Sequence, residues 1–349
     1  MGSGKTARMK TALLRTALLA AAALLPLAPS TVGAQTPKEV VDAATPDEWQ
    51  EIAADDLVVM ILTPDAAGDE REVVIQLMPE PFSANWVHNV RELARAHWWD
   101  GLSVYRSVDN WVVQWGAGEA EKPMPETIRD TSADDYTLNW ESGILNTMWG
   151  SFGRRPAEET YDNMDGVGSW FNDPYSSAIG FAQGLPVASD LETQADAQGE
   201  RINRPTEIWP VHCYASVGVA RALAPSAGTG AELYVVIGHA PRQLDRNIAV
   251  VGKVIDGVEH LSVLPRGTGP AGVYETEAEH TQIISVRLAS EMAEDERPRY
   301  RFLNPDSGSF ADWAELKANR ADAFYTVPAG GADVCNLSVP VEPVEDEAG

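Results

Sequence analysis

The sequence predicts a mainly β protein, and three features of its 349 residues indicate this class. Short apolar runs rich in Val, Ile and aromatic residues recur along the chain, as is typical of β-strands. Gly, Pro, Asp and Asn residues separate these runs, and helical periodicity is confined to a few segments. Many short strands with few helices form either a sandwich or a barrel, and the pattern alone does not distinguish the two.

The first half of the predicted core is a hairpin, a helix and two further strands. Apolar side chains at helical spacing follow Ser83, a candidate N-cap, and continue to Ala94. The strands around this helix are rich in β-branched and aromatic residues and are bounded by turn residues. They are Leu57–Leu62, Val73–Leu77, Ser103–Tyr105 and Trp111–Trp115.

Residues 117–203 interrupt the pattern and are expected to form a long loop insertion. The segment is acidic, rich in Gly, Pro, Asn and Trp, and lacks sustained periodicity; loops of this length are usually functional or partly disordered. Residues 291–349 are expected to be a C-terminal extension with a helix near Phe310–Asn319 and a short element at Asp322–Thr326. Between these segments, the predicted strands are Val211–Ala220, Leu233–Ile237, Ala249–Val254 and Gln282–Leu288, with a short helix at 258–264.

Residues 1–34 have the organisation of a signal peptide. Four Lys and Arg residues precede a short apolar run that contains proline, and Val32-Gly33-Ala34 offers a small-residue cleavage site. The run is shorter than the roughly 20 residues that span a bilayer, so a retained membrane anchor is the weaker alternative. We therefore expect cleavage near Ala34 and a periplasmic or secreted protein that is free of the membrane.

Acidic residues dominate the charge. The chain has 26 Lys and Arg against 52 Asp and Glu, a net charge of −26, and removal of residues 1–34 with their four positive charges gives −30 (−26 − 4). This balance argues against nucleic-acid partners, which need clustered positive charge, and against docking on anionic lipid. A solvated surface and a preference for cationic partners both remain open.

The only cysteines are Cys213 and Cys335. In an oxidising compartment a single disulfide between them is one interpretation, and two buried thiols that do not meet is the other. The pair His212-Cys213 lacks partners at metal-ligand spacing, so we expect both residues to be structural and no metal to be bound.

Two blocks of the sequence resemble the cyclophilin signature. In residues 81–116, a helix with an internal Asn follows an acidic-proline turn, and an aromatic-Asp-Gly turn leads into a strand with an Arg. In residues 218–257, Gly-Val-Ala-Arg is followed by an aromatic strand and by Val-Gly-Lys-Val before an Asp-Gly turn. The match is specific because many small pieces occur in order across about 57–116 and 205–290.

The resemblance implies an eight-stranded antiparallel barrel closed by two helices, with a proline-binding groove on its outer face. It divides the chain into a cyclophilin-like domain, 35–290, which includes the insertion, and the extension, 291–349. It also implies a peptidyl-prolyl cis-trans isomerase that needs no cofactor. The expected clients are proline-containing polypeptides that fold outside the cytoplasm, and we expect a monomer.

Arg106 falls on the family's catalytic arginine. Twisting an X–Pro bond breaks amide resonance, and this gives the rotation a barrier of about 18–20 kcal/mol. No bond is cleaved, so the reaction requires no nucleophile or metal. A guanidinium can bond the twisted amide more strongly than the planar one, and an apolar slot can hold the ring. The resemblance places nine further residues along this groove, and they are Trp111, Val112, Gln114, Ala220, Arg221, Glu232, Tyr234, Leu244 and Ile248.

Three positions depart from the family pattern. Glu232 stands where a glutamine usually bonds the substrate backbone, Gln243 replaces a tryptophan, and Ile248 replaces a histidine. The placement of Tyr234 needs a one-residue insertion, and Val235 is its alternative. These departures favour a second hypothesis, a binding or chaperone-like module that keeps the scaffold but has little turnover.

Overall fold

The computed structural model describes residues 35–139, 173–195, 198–199, 201–322 and 324–344. The expected signal peptide, 1–34, lies outside the described residues, as does 140–172 of the insertion. Within the described ranges, no helix combines the length and the apolar character that crossing a membrane requires.

In these ranges the chain forms fifteen strands and four α-helices, numbered in chain order. The helices are α1 (Pro37–Ala43), α2 (Ala84–Arg95), α3 (Val258–Ser262) and α4 (Gly308–Ala318). The strands are β1 (Trp49–Glu51), β2 (Leu57–Leu62), β3 (Arg71–Leu77), β4 (Ser103–Ser107), β5 (Val112–Gly116), β6 (Leu138–Asn139), β7 (Ala178–Ala182), β8 (Leu185–Ala195), β9 (Arg201–Pro210), β10 (Ser216–Val219), β11 (Leu233–Val236), β12 (Val250–Asp256), β13 (Thr281–Leu288), β14 (Tyr300–Leu303) and β15 (Val341–Pro343).

Eight of these strands close into an antiparallel barrel, as the resemblance implies. The order around the barrel is β10-β11-β5-β4-β13-β2-β3-β12, and β12 pairs back with β10. Apolar side chains of α2, such as Trp86 and Leu93, and Leu261 of α3 are buried with the barrel core. Because both helices bury an apolar side on this core, they close the barrel.

Ser83 precedes α2 but does not cap it. Its backbone is left-handed, with φ 48°, and its side chain makes no capping hydrogen bond. An N-cap side chain normally reaches the helix N–H groups from an extended backbone, so the predicted capping role is wrong.

The insertion, predicted to be a loop, contains paired strands. Strands β6, β7 and β8 lie within 117–203, and with β9 they form a four-stranded sheet in the order β6-β9-β8-β7. The first five residues of β8 are buried and its last four are exposed. A strand that is buried on both faces at one end and exposed on both at the other shows no period-two alternation, so its sequence does not predict a strand.

The strand predicted at Val211–Ala220 is shorter than expected. Only β10 joins the barrel, because the chain turns before it at Ala215, which has a φ of 70°. In that turn Cys213 forms a disulfide with Cys335, 122 residues further along, with the two Cα atoms 5.0 Å apart. The C-terminal extension is therefore covalently tied to the segment that enters the barrel.

A second hydrophobic core joins segments near both ends of the described part of the chain to the outside of the barrel. Strands β1, β14 and β15 form a three-stranded sheet, and helix α1 packs against α4. Leu57 and Val74 of the barrel are buried in this core. Of the elements expected in the extension, the helix is α4, whereas the described residues of Asp322–Thr326 form no helix or strand. Further side chains of this core come from α1, the insertion, β9 and the extension, and they are Val40, Phe181, Trp209, Phe302 and Trp313.

Candidate functional site

A small apolar cluster, here called the slot, lies apart from the main barrel core. Val112, Tyr234 and Val236 are buried in it, and partly buried apolar side chains pack around them. The structure thus brings together six residues that the sequence assigned to the groove. They are Trp111, Val112, Ala220, Tyr234, Leu244 and Ile248.

Strand pairing explains why these side chains converge. Tyr234 pairs with Gln114 and Val236 pairs with Val112, so alternate residues of β5 and β11 lie on one face. Across β11, Tyr234 also pairs with Gly218 of β10. A Cβ atom at Gly218 would lie 2.3 Å from Cζ of Tyr234, so the glycine leaves the space that the tyrosine ring occupies.

Arg106 lies beside the slot and is held by several contacts. Its Nε donates to the Ala271 carbonyl oxygen at 2.8 Å, and its Nη1 donates to Oε1 of Gln114 at 2.9 Å. Its guanidinium carbon lies 5.3 Å from the centre of the Trp111 ring, within cation–π range. Within the described part of the chain, no hydrogen bond is made by Nη2. Burial lowers the pKa of Arg106, yet a guanidinium remains charged at neutral pH.

Four side chains, here called the Arg106 network, run from this guanidinium to the start of the insertion. Nε2 of Gln114 donates to the Tyr105 hydroxyl, which donates to Oε2 of Glu232 at 2.7 Å. Oε1 of Glu232 accepts from the backbone N–H groups of Ala117 and Gly118 at 2.7 and 3.1 Å. Both ends of the Gln114 amide are therefore engaged within the protein.

Glu232 sits in a confined position in this network. Burial raises the pKa of Glu232, and the hydrogen bonds from Tyr105 and Ala117 offset only part of that effect. A Cβ atom at Gly116 would lie 2.3 Å from a Glu232 carboxylate oxygen, so the side chain lies against the backbone of β5. The carboxylate that replaces the family's glutamine is thus bonded to the protein itself.

Arg221, the remaining predicted groove residue, lies at the edge of the slot. Its Nε donates to the Asn247 carbonyl oxygen at 3.1 Å, and its Nη1 donates to the Ala222 carbonyl oxygen at 2.9 Å. It therefore links the segment after β10 to the loop that carries Leu244 and Ile248.

A second group of polar side chains, here called the Tyr234 network, lies behind the slot. The Tyr234 hydroxyl is 2.9 Å from Nε2 of His212, and Nδ1 of His212 is 3.0 Å from Oδ1 of Asp245. Oδ2 of Asp245 accepts from Nε of Arg242 at 2.6 Å. Nη1 and Nη2 of Arg242 donate to the two carboxylate oxygens of Asp173 at 3.0 and 2.7 Å.

Sequence reasoning missed most of these supporting residues. The sequence predicts a structural role for His212, because it lacks partners at metal-ligand spacing, and it gives no role to Tyr105, Asp173, Arg242 or Asp245. One signal was available, because a histidine inside the apolar stretch 208–215 is expected to find a hydrogen-bond partner. Its partners lie 22 and 33 residues away, in segments that only the fold brings together.

Comparison with known proteins identifies the family of this fold. A family model described as cyclophilin type peptidyl-prolyl cis-trans isomerase/CLD matches residues 65–287, well over half of the chain. No curated protein sequence matches the chain at a significant level.

Among solved structures, the cyclophilin AquaCyp293 from Hirschia baltica is 19% identical and superposes with a TM-score of 0.58, covering 89% of this chain and 99% of that one. A cyclophilin type peptidyl-prolyl cis-trans isomerase from Cryptosporidium parvum is 11% identical, with a TM-score of 0.35, covering 67% of this chain and 96% of that one. The first superposition reproduces the fold, and the family model spans both blocks of the signature. The chain belongs to the cyclophilin-type peptidyl-prolyl cis-trans isomerase family.

Proposed function

We propose that this protein catalyses the cis-trans isomerisation of X–Pro bonds in polypeptide clients, with Arg106 as the catalytic residue. The observation that carries the proposal is the position of a fixed guanidinium next to an apolar cluster of aliphatic and aromatic side chains. Without a catalyst, an X–Pro bond exchanges between cis and trans over tens to hundreds of seconds. A site that lowers the rotational barrier therefore speeds folding steps that depend on this exchange.

Arg106 acts on the amide as it twists. When resonance is lost, the prolyl nitrogen gains a lone pair and the carbonyl oxygen loses part of its negative charge. A donor on Nη2 can bond the nitrogen lone pair, which is present only in the twisted amide, while Nε and Nη1 stay anchored to Ala271 and Gln114. Because the anchored guanidinium is already oriented, little reorganisation is needed when the twisted amide forms.

The slot holds the pyrrolidine ring during this rotation. Its buried apolar side chains exclude water from the ring, and Trp111 contacts both the slot and the guanidinium. We assign Val112, Ala220, Tyr234, Leu244 and Ile248 to the walls. Arg221 and Gln114 contribute from the edges, Gln114 through Arg106. Glu232 supports Gln114 through Tyr105.

The site of action that we propose is outside the cytoplasm, on exported proteins whose folding is limited by proline. Two features support this placement: the signal-peptide organisation of residues 1–34 and the pairing of Cys213 with Cys335. Disulfides persist mainly in oxidising compartments such as the periplasm and the extracellular space. We propose that the mature protein acts as a monomer on proline-containing polypeptides.

A specific observation favours a second candidate function, binding without turnover. The carboxylate of Glu232 and the amide of Gln114 are both engaged inside the Arg106 network, so neither is free to hold a substrate backbone. A module of this kind would bind proline-containing segments in the slot but leave the X–Pro exchange rate unchanged.

The experiment that separates these candidates is isomerisation of an Ala-Pro-Phe type peptide by the mature wild type and by Arg106→Ala. Loss of one preorganised donor typically costs about 100–1,000-fold in rate. We expect a clear wild-type rate and a fall of this size in the variant. Arg266→Ala is a matched control, because this partly exposed arginine pairs with Asp109 outside the slot. Peptide binding with no wild-type turnover would support the binding module instead.

A further inference from the structure

The Tyr234 network is buried along its whole length. His212 is 0% exposed, and Arg242, Asp173 and Asp245 are between 5% and 7% exposed. Polar groups removed from water to this degree are costly unless each has a partner, and here every contact from Tyr234 to Asp173 lies between 2.6 and 3.0 Å. Such a network holds its members in one arrangement, because any rotation leaves a buried group unpaired.

The direction of the hydrogen bonds determines where the tyrosine hydroxyl points. Oδ1 of Asp245 can only accept, and it lies next to both the backbone N–H and Nδ1 of His212, so Nδ1 carries a hydrogen. In the neutral ring, Nε2 then accepts from the Tyr234 hydroxyl. The hydroxyl is thereby bonded to His212, and what Tyr234 contributes to the slot is its apolar ring.

The far end of the network lies in the insertion. Asp173 precedes β7, and it also accepts hydrogen bonds from the Tyr175 backbone N–H and the Ser176 hydroxyl. Its bidentate pairing with Arg242 therefore connects the insertion sheet to the short turn that carries Leu244. A wall of the slot and the insertion are parts of one buried polar assembly.

We propose that His212, supported by Asp245, Arg242 and Asp173, is a positioning residue that fixes the Tyr234 ring as a wall of the proline slot, so that the insertion sets the affinity for proline. The inference rests on the proposed function and deepens it. The slot contacts the pyrrolidine ring in the planar and twisted amide alike, so the network contributes uniform binding, which appears in KM and not in kcat.

The test compares KM and kcat for three variants of the full mature chain. Tyr234→Phe keeps the ring but removes the hydroxyl, and we expect KM to rise about 3–10-fold, the value of one hydrogen bond, with kcat within about twofold of wild type. Asp173→Asn weakens the pairing with Arg242 at the far end of the network, and it should also raise KM. The double variant should not exceed the larger single effect, because both changes interrupt the same network.

Asp190→Asn is the matched control. Asp190 also lies in the insertion and pairs with Arg246 at 3.0 Å, but this ion pair is exposed and does not lead to Tyr234. We expect its KM to equal that of the wild type. A loss of folded protein would instead lower the apparent kcat and leave KM unchanged, which distinguishes positioning from stability.

Several results would overturn the inference. With an active wild type, an unchanged KM in Tyr234→Phe and Asp173→Asn, or an equal effect of Asp190→Asn, contradicts it while the proposed function stands. If the wild type has no turnover, the same variants are compared by the Kd of an Ala-Pro peptide, measured from NMR shifts of the Trp111 indole. A raised Kd supports the positioning role without isomerase activity, and an unchanged Kd or no binding by the wild type rejects it.

Discussion

The two polar networks beside the slot differ in burial, charge and anchorage. The Arg106 network is partly buried, contains one carboxylate, and ends on backbone N–H groups next to β5. The Tyr234 network is buried, contains two carboxylates and a guanidinium, and ends in the insertion. The first fixes a charged donor at the edge of the slot, and the second fixes an apolar wall.

Under the proposed function, each network is expected to affect a different kinetic parameter. A donor that bonds the twisted amide more strongly than the planar one lowers the barrier and affects kcat. A wall that contacts the proline ring equally in both states affects binding and therefore KM. Under the proposed function, the catalytic and the binding contributions are thus divided between two sets of residues, although Tyr234 and Gln114 are paired across β11 and β5.

Removing the disulfide should have the largest effect on stability. Closing a loop of roughly 120 residues is worth about 4–5 kcal/mol in the chain-entropy account, so Cys213→Ser with Cys335→Ser should lower the free energy of unfolding by up to this amount. Because Cys213 adjoins His212, the folded variant should also show a raised KM with little change in kcat. Denaturant unfolding and steady-state kinetics measure the two effects.

Wild type under reducing conditions serves as the control for this variant and should unfold at the same denaturant concentration. A double-serine variant as stable as the oxidised wild type would contradict the account of how the extension is anchored. A selective fall in kcat would contradict the division between the networks.

Removing the hydrogen bonds of Gln114 in the Arg106 network should have the next largest effect, a loss of kcat. Gln114→Leu removes the acceptor for Nη1 of Arg106 and the donor to Tyr105. A hydrogen bond to a charged group is worth about 1.5–3 kcal/mol, so we expect kcat to fall about 10–100-fold with a smaller change in KM. Gln114→Glu keeps an acceptor for Arg106 and should lose less. Equal losses in both variants would argue against the Arg106–Gln114 bond as the relevant contact.

The smallest effect concerns the pH dependence of stability. Burial raises the pKa of Glu232 above 4.5, so the folded protein keeps this proton to higher pH than the unfolded chain does. The stabilisation from this group is therefore complete below pH 4.5 and is lost as pH rises through the raised pKa. In Glu232→Gln, which has no proton to lose at this position, the free energy of unfolding should fall less between pH 4.5 and the raised pKa.

Tyr105→Phe tests the same carboxylate by raising the pKa of Glu232 instead of removing the titrating group. The hydrogen bond from Tyr105 lowers the pKa of Glu232, so its removal should shift the window to higher pH. Chemical unfolding measured from pH 4 upward at constant ionic strength checks both variants. Parallel profiles for wild type and Glu232→Gln would show that Glu232 does not titrate as a buried group.

Much of the barrel was predictable because its strands are bounded by strong turn signals. The prediction at Leu57–Leu62 coincides with β2, and the predicted helix ends within one residue of α2. The insertion sheet was not predictable in the same way. The first residues of β8 are buried in both cores, Leu185 and Val187 in the barrel core and Ala188 in the second, and its last four residues are exposed. No local period therefore marks it as a strand.

The candidate site shows the same limit at the level of side chains. Resemblance to a family pattern predicted that Arg106 and the slot residues lie in one groove, because the positions of that pattern recur with fixed spacing. It did not identify what holds them, because Tyr105 and His212 acquire their partners only through tertiary contacts. For Glu232, the sequence predicted a charge beside the groove, whereas the structure bonds this carboxylate to Tyr105 and the Ala117 backbone.

The most direct test of the central role of Arg106 is NMR exchange spectroscopy on an Ala-Pro peptide with wild type and Arg106→Ala. Saturating peptide separates binding, seen as shifts of the slot resonances, from catalysis, seen as cis-trans exchange. We predict that the variant still binds the peptide while the catalysed exchange falls about 100–1,000-fold. Exchange in the variant as fast as in the wild type would contradict the assignment of catalysis to Arg106.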